Sequence, residues 1–240
     1  MKHKKIIFAV LICAALNSCA QINFNKVIKD ASQTVKGGKL SNEDIINGLK
    51  EALSVGSRNS ANKASQMDGY YKNPLIRIPF PKEAERMEAT LRNMGMSKQV
   101  DEFVLTLNRA AEDAAKKAAP IFLDAITHMT ITDGINILHG NDDAAMQYLK
   151  TNTSVKLKEQ FKPVVKTSIE SVQVTKYWNP LVTTYNNIPL VQKMNPDLDE
   201  YVTQKAIDGL FTLVTQEELK IRKDPAARIT DILKKVFGNH

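Results

Sequence analysis

Cysteine is nearly absent. The two present, Cys13 and Cys19, are too few to staple a small disulfide fold. Ten glycines and nine prolines exclude a collagen repeat, a flexible linker array and a low-complexity tail. No apolar run reaches 18 residues, so no membrane span is expected after processing. Neither kind of Gly-rich phosphate loop nor a G-x-S-x-G nucleophile elbow occurs. What is present is a chain of 240 residues, 43% hydrophobic and 25% charged, the balance of a soluble protein with an ordinary core.

The start of the chain reads as an address. Lys2, His3, Lys4 and Lys5 precede an unbroken apolar stretch from Ile6 to Leu16. As a helix those 11 residues would span about 16 Å, against about 30 Å of bilayer hydrocarbon, which is the length of a signal-peptide core. Leu16-Asn17-Ser18-Cys19 then resembles a bacterial lipobox, with Asn17 departing slightly from the commonest pattern. In such proteins the leader is removed and the cysteine, here Cys19, carries the lipid. Ordinary secretory cleavage after Ala20 is the alternative, and it would give a soluble periplasmic protein. Removal of residues 1–18 takes Lys2, Lys4 and Lys5 with it, so the formal charge falls from +7 to +4 over 222 residues. That surplus is too small and too dispersed to suggest nucleic acid. Several acyl chains hold a protein on a membrane where one is marginal. By analogy with lipoproteins, Ala20 in the place of a retention aspartate, and no acidic run after Cys19, point to the outer membrane and a body facing the periplasm.

The remainder is patterned as helices, and the expected fold is all-α: one bundle-like domain over 41–240, behind a lipidated tether over 19–40. Phe24, Val27, Ile28, Ala31 and Val35 make a short amphipathic segment in the tether. Ser41 with Asp44, and Thr130 with Asp133, have capping-box spacing. From Ser97, the residues Val100, Phe103, Val104, Leu107, Ala110, Ala111, Ala114, Ala115 and Ala118 form the clearest stripe, and their small side chains suit a central helix. Pro120 should kink or end it. Further apolar faces are Leu157, Phe161, Val165 and Ile169, then Val202, Ala206, Leu210 and Leu213, and finally Ile229, Leu233 and Phe237 after an Asp224-Pro225 start.

Two stretches are not helical in pattern. Gln66 to Pro81 holds Tyr70, Tyr71, Arg77 and Phe80 among prolines, and Lys176 to Pro196 holds Tyr177, Trp178 and Tyr185. Long irregular loops are often functional, but the plainer reading, preferred here, is that prolines and aromatics pack these stretches over the bundle. If these two meet, Tyr70, Tyr71 and Trp178 would line a groove and Arg77 would orient an anionic group. Arg109 interrupts the alanine-rich stripe and is a further anion-binding candidate; for both Arg77 and Arg109 the plainer reading, and the one preferred here, is structural pairing with a nearby Asp or Glu.

Several of these segments together resemble an uncharacterised bacterial family known only as a domain of unknown function. They are LSNEDIINGLKEAL from Leu40, DGYYKNPLIRIPFP from Asp68, NRAAE from Asn108, APIF from Ala119, the run from Asp142 to Leu149, KAIDGLF from Lys205 and IRKDPAAR from Ile221. The resemblance covers about residues 40 to 238 and implies an exported helical domain. It implies no activity, and the lipobox lies outside it.

Chemistry is thin. Asp124 and His128 stand at i, i+4, but a zinc site needs three or four ligands and no second pair matches, so no metal and no cofactor is expected. The acidic pairs Glu43-Asp44, Asp142-Asp143 and Glu217-Glu218 read as helix starts or solvated faces. No catalytic residue is identified. The expected role is a non-catalytic binding or interaction module, its partner a periplasmic protein, a peptide or a small apolar molecule. The alternative is a periplasmic hydrolase.

Overall fold

A computed structural model describes residues 41–171, 174–191, 193, 198–228 and 234. Cys19, the amphipathic tether segment and nearly all of the last predicted helix lie outside the described residues. The chain divides into a unit of Met1–Gly38 and a unit of Lys39–His240, and the second alone is described below.

Its described residues form helices joined by turns and irregular segments, with no strand among them. Eight helices follow in order: α1 (Asn42–Ser65), α2 (Glu85–Asn93), α3 (Ser97–Ala115), α4 (Ala118–Thr127), α5 (Ile131–Leu138), α6 (Ala144–Ser171), α7 (Val174–Asn186) and α8 (Asp199–Lys223). Two single 3₁₀ turns, Lys82–Ala84 and Pro225–Ala227, flank α2 and α8. Both capping boxes form. Ser41 Oγ accepts from Asp44 N at 3.1 Å while Asp44 Oδ2 accepts from Ser41 N, and Thr130 and Asp133 repeat the exchange at the start of α5. None of the described helices is long and apolar enough to cross a membrane.

The alanine-rich stripe places α3 at the centre. It packs against α1, α2, α6, α7 and α8, and Ala110, Ala111, Ala114 and Ala115 are wholly shielded from solvent. Small side chains let the neighbouring helix axes approach closely while the larger Val100, Phe103 and Leu107 fill the opposite end of the stripe. Pro120 falls in the first turn of α4, where a missing N–H costs little, so the chain turns between α3 and α4 at Lys116 and Lys117.

One expectation is overturned. The second irregular stretch is helix α7 through Asn186, with Pro180 inside it. Trp178, Leu181, Val182 and Tyr185 stand at i, i+3, i+4 and i+7, and all four are buried. Burial of that face outweighs the one backbone hydrogen bond that Pro180 removes. Trp178 is 2% exposed and stacks on Phe103 of α3, with ring centroids 4.6 Å apart and an interplanar angle of 12°. Phe80, at the end of the first irregular stretch, leans on both rings at 5.1 and 5.6 Å. The two stretches do meet, but as a core aromatic cluster and not as the walls of a groove. Helix α2 is also new; its buried residues, Met87 and Leu91, are too few to stand out as a stripe.

Gly209, in the middle of α8, is set by the same packing. A Cβ there would sit 2.7 Å from Cε1 of Tyr70 and 3.1 Å from Cβ of Ile76. Glycine-to-alanine in a helix interior normally stabilises by up to about 1 kcal/mol. Here Tyr70 is completely buried and its hydroxyl donates to the Ala206 carbonyl at 2.5 Å, so the ring cannot yield. Gly209→Ala is therefore expected to destabilise by about 1–3 kcal/mol. A lower urea midpoint is the expected reading, and a raised midpoint would contradict the close approach.

Candidate functional site

The first irregular stretch, residues 66–81, contains no helix or strand, yet it is held at four places. Each anchor follows from the position of α3 and α8. Glu112, buried on α3, accepts from the backbone N–H groups of Tyr70 and Tyr71 through Oε1 at 3.1 and 3.3 Å. Asn108, one turn earlier and wholly buried, accepts from Ile78 N–H and donates to the Ile78 carbonyl, both at 2.8 Å, with a third bond to the Val104 carbonyl. Tyr201 of α8 donates its hydroxyl to the Pro79 carbonyl at 3.1 Å. Tyr70 fills the notch over Gly209, as above. Side chains thus satisfy backbone groups that a sheet ladder would otherwise serve.

Arg109 links this frame to its rim. One guanidinium nitrogen reaches Glu112 Oε2 and the other Asp68 Oδ1, both at 2.6 Å. Asp68 also receives Lys72 at 2.8 Å. The hydrogen bond from Lys72, then that from Arg109, hold the Asp68 carboxyl below the usual carboxylate range. Asp68 sits at φ 67°, a left-handed conformation that aspartate tolerates better than most residues. Burial, followed by the neighbouring Glu112 and Asp208 charges, pushes the Tyr70 phenol upward, so it stays a neutral donor.

The predicted residues therefore separate. Tyr70 and Trp178 are core residues and leave the candidate groove, because an incoming molecule cannot reach them. Arg109 is a structural ion-pair residue. Tyr71 and Arg77 remain together at the surface: the Arg77 guanidinium lies 5.1 Å from the Tyr71 ring centroid, with Arg109 at 5.9 Å from the same ring. Arg77 is exposed and makes no ion pair with any described residue. Leu75, two residues before it, is 61% exposed, and Met67 near the start of the stretch is 81% exposed. Asn73 sets this tip: its carbonyl accepts from Ile76 and Arg77 N–H, and its side chain accepts from Leu75 N–H.

Asn108 and Glu112 escaped the sequence reading. The partners that tie them to the irregular stretch are backbone groups 30 to 42 positions away, which carry no side-chain signature. Glu218 was misread as well. It is buried, accepts from the N–H groups of Ala145 and Met146 at the start of α6, and pairs with Arg222 at 2.9 Å. Arg222 reaches the Ile137 carbonyl and Arg228 the carbonyls of Ile221 and Arg222. That cluster joins the end of α5, the start of α6 and the end of α8. Asp124 and His128 lie on an exposed helix face, 3.6 Å apart, with Lys156 also on Asp124. Among the described residues no group of His, Cys, Asp and Glu is arranged to hold a metal.

The sequence profile of the family described as protein of unknown function (DUF4197) matches residues 39–238, and the chain belongs to that family. No curated protein and no solved structure matches it. The anchors just described give two of the family-like segments a common purpose: Asn108, Arg109 and Glu112 of the one hold the backbone and Asp68 of the other.

Proposed function

We propose that the protein is an outer-membrane lipoprotein anchored through Cys19, with a periplasmic helical domain that acts as a non-catalytic interaction module. The contact surface is the tip of residues 66–81. The observation that carries this reading is a contrast within one segment: its backbone is fixed by buried Asn108 and Glu112, while Met67, Leu75 and Arg77 stand exposed. Fixing an irregular segment with buried polar side chains is costly unless every group is matched, and a loop without a role would more simply be short. Methionine, tyrosine and arginine are the residue types enriched in protein contacts. Pre-ordering them removes part of the entropy cost of binding. Asp68 and Glu112 are engaged by guanidinium, ammonium and amide donors, which supports binding over acid–base chemistry at this place.

The test is a photo-crosslinking amino acid placed at Leu75 in cells, with exposed Lys98 on α3 as control. A discrete adduct from position 75 and none from position 98 is expected. Cys19→Ala should move the protein from the membrane to the soluble periplasmic fraction and weaken an adduct made with a membrane partner. No adduct at position 75 would remove the interaction reading. A Cys19→Ala variant that still floats with membranes, together with wild type that carries no lipid mass, would remove the anchor.

A further inference from the structure

We propose that Arg77 is the receptor for a carboxylate on a protein segment, an acidic residue or chain terminus flanked by an apolar side chain. The inference rests on the reading of residues 66–81 as a contact surface and names what that surface takes. The Arg77 guanidinium carbon lies over the Tyr71 ring, 5.1 Å from its centroid, a contact that restrains the cation while the residue stays exposed. An arginine held in this way presents a fork matched to a carboxylate. Charge favours a single anion: of Lys72, Arg77 and Arg109, the first and last are paired with Asp68 and Glu112, and Arg77 has no acidic partner among the described residues. One uncompensated cation suits a carboxylate, whereas a phosphate dianion would call for more. Leu75, two residues from Arg77, supplies the apolar flank. Its exposure leaves a small molecule too little enclosure, since small-ligand sites cover most of their occupant, while a protein segment brings its own surface.

The experiment pans a library of phage-displayed random peptides against the immobilised full-length protein, then measures synthetic copies of the selected peptides by calorimetry. Enrichment of Asp or Glu beside Leu, Ile or Phe is expected. Arg77→Ala should weaken those peptides about tenfold or more, and Arg77→Lys by less, with unchanged melting temperatures. Arg77→Glu should invert the selection toward Lys and Arg. Amidated peptides separate the two sources: loss of binding on amidation places the terminal carboxylate at Arg77, and retention places a side chain there. Failure to select any peptide, absence of acidic enrichment, or equal binding to Arg77→Glu would each overturn the inference. So would Arg77-dependent binding seen only with phosphatidylglycerol vesicles, which would make a lipid phosphate the occupant. A crosslink at Leu75 that persists unchanged in Arg77→Glu would sink this inference while leaving the interaction module standing.

Discussion

Ala111→Glu and Ala114→Glu are each expected to leave the domain unfolded. Both alanines are wholly shielded, on the helix that touches α1, α6, α7 and α8. A glutamate at either place brings four extra heavy atoms beyond Cβ into a packed interior and a charge with no partner supplied. Overpacking alone costs about 1–3 kcal/mol. The desolvated carboxylate adds several kcal/mol more, whether it stays ionised or takes up a proton. A domain of this size is stable by only about 5–15 kcal/mol, so the two together consume most or all of the margin. Helix propensity is not responsible, because glutamate is a good helix former. Gln99→Glu, on the exposed side of the same helix, is the control and should change stability by less than about 0.5 kcal/mol. Far-ultraviolet circular dichroism and limited proteolysis report the outcome. Cooperative melting of both variants near the wild-type temperature would contradict the central position of α3.

That helix is also where the sequence was most informative. Its apolar side chains repeat at helical spacing over five turns, and each is local evidence for the same face. The two capping boxes are equally local, since donor and acceptor lie three residues apart. Helix α7 shows the reverse case. Trp178, Leu181, Val182 and Tyr185 have the spacing of a helix face, but Pro180 among them and the prolines that follow argue for a loop. Local rules weigh the lost hydrogen bond and omit the aromatic stack on Phe103, which comes from 75 positions earlier and decides the matter. The candidate site was half legible for the same reason. Arg77 and Tyr71 stand out as an arginine and an aromatic among prolines. Asn108 and Glu112 look like ordinary polar positions on an amphipathic helix, because what they hold is backbone. The groove drawn from Tyr70 and Trp178 assumed that aromatics in proline-rich stretches face solvent; in this chain they are what ties those stretches to the core.

Asn108 gives the sharpest test of how residues 66–81 are held. Its carboxamide uses both ends: the carbonyl oxygen accepts from Ile78 N–H, and the NH₂ group donates to the carbonyls of Ile78 and Val104. Asn108→Leu keeps the branched shape and the number of side-chain heavy atoms and removes all three bonds, leaving an N–H and a C=O of buried Ile78 without partners. At about 1–3 kcal/mol for each orphaned group, the loss is expected to be about 2–6 kcal/mol. Asn108→Asp separates hydrogen bonding from shape. One carboxylate oxygen can still accept from Ile78 N–H, but the other would face two carbonyl oxygens at the 2.8 Å now spanned by N–H donors. The introduced acid is therefore favoured in its protonated form, which donates where the amide did, and its folded-state pKa lies above the unfolded value near 4. A group raised on folding contributes stability fully below its unfolded pKa and loses it as pH rises through the folded one. The deficit of Asn108→Asp relative to wild type should thus be smallest near pH 4 and grow toward neutrality, whereas the deficit of Asn108→Leu should not follow that trend. Urea midpoints across that range decide it. An Asn108→Asp deficit that shrinks as pH rises would mean that the NH₂ contacts are not made. The same variants connect the frame to its proposed use: with Ile78 released, the tip that carries Leu75 and Arg77 loses its fixed orientation. Cleavage by a broad-specificity protease within 66–81 should then precede cleavage elsewhere, and the crosslink from position 75 should weaken before the helices melt. Glu112→Gln acts on the same segment from its other end, so its effect should be less than additive with Asn108→Leu: once one anchor is gone, less order is left for the second to maintain.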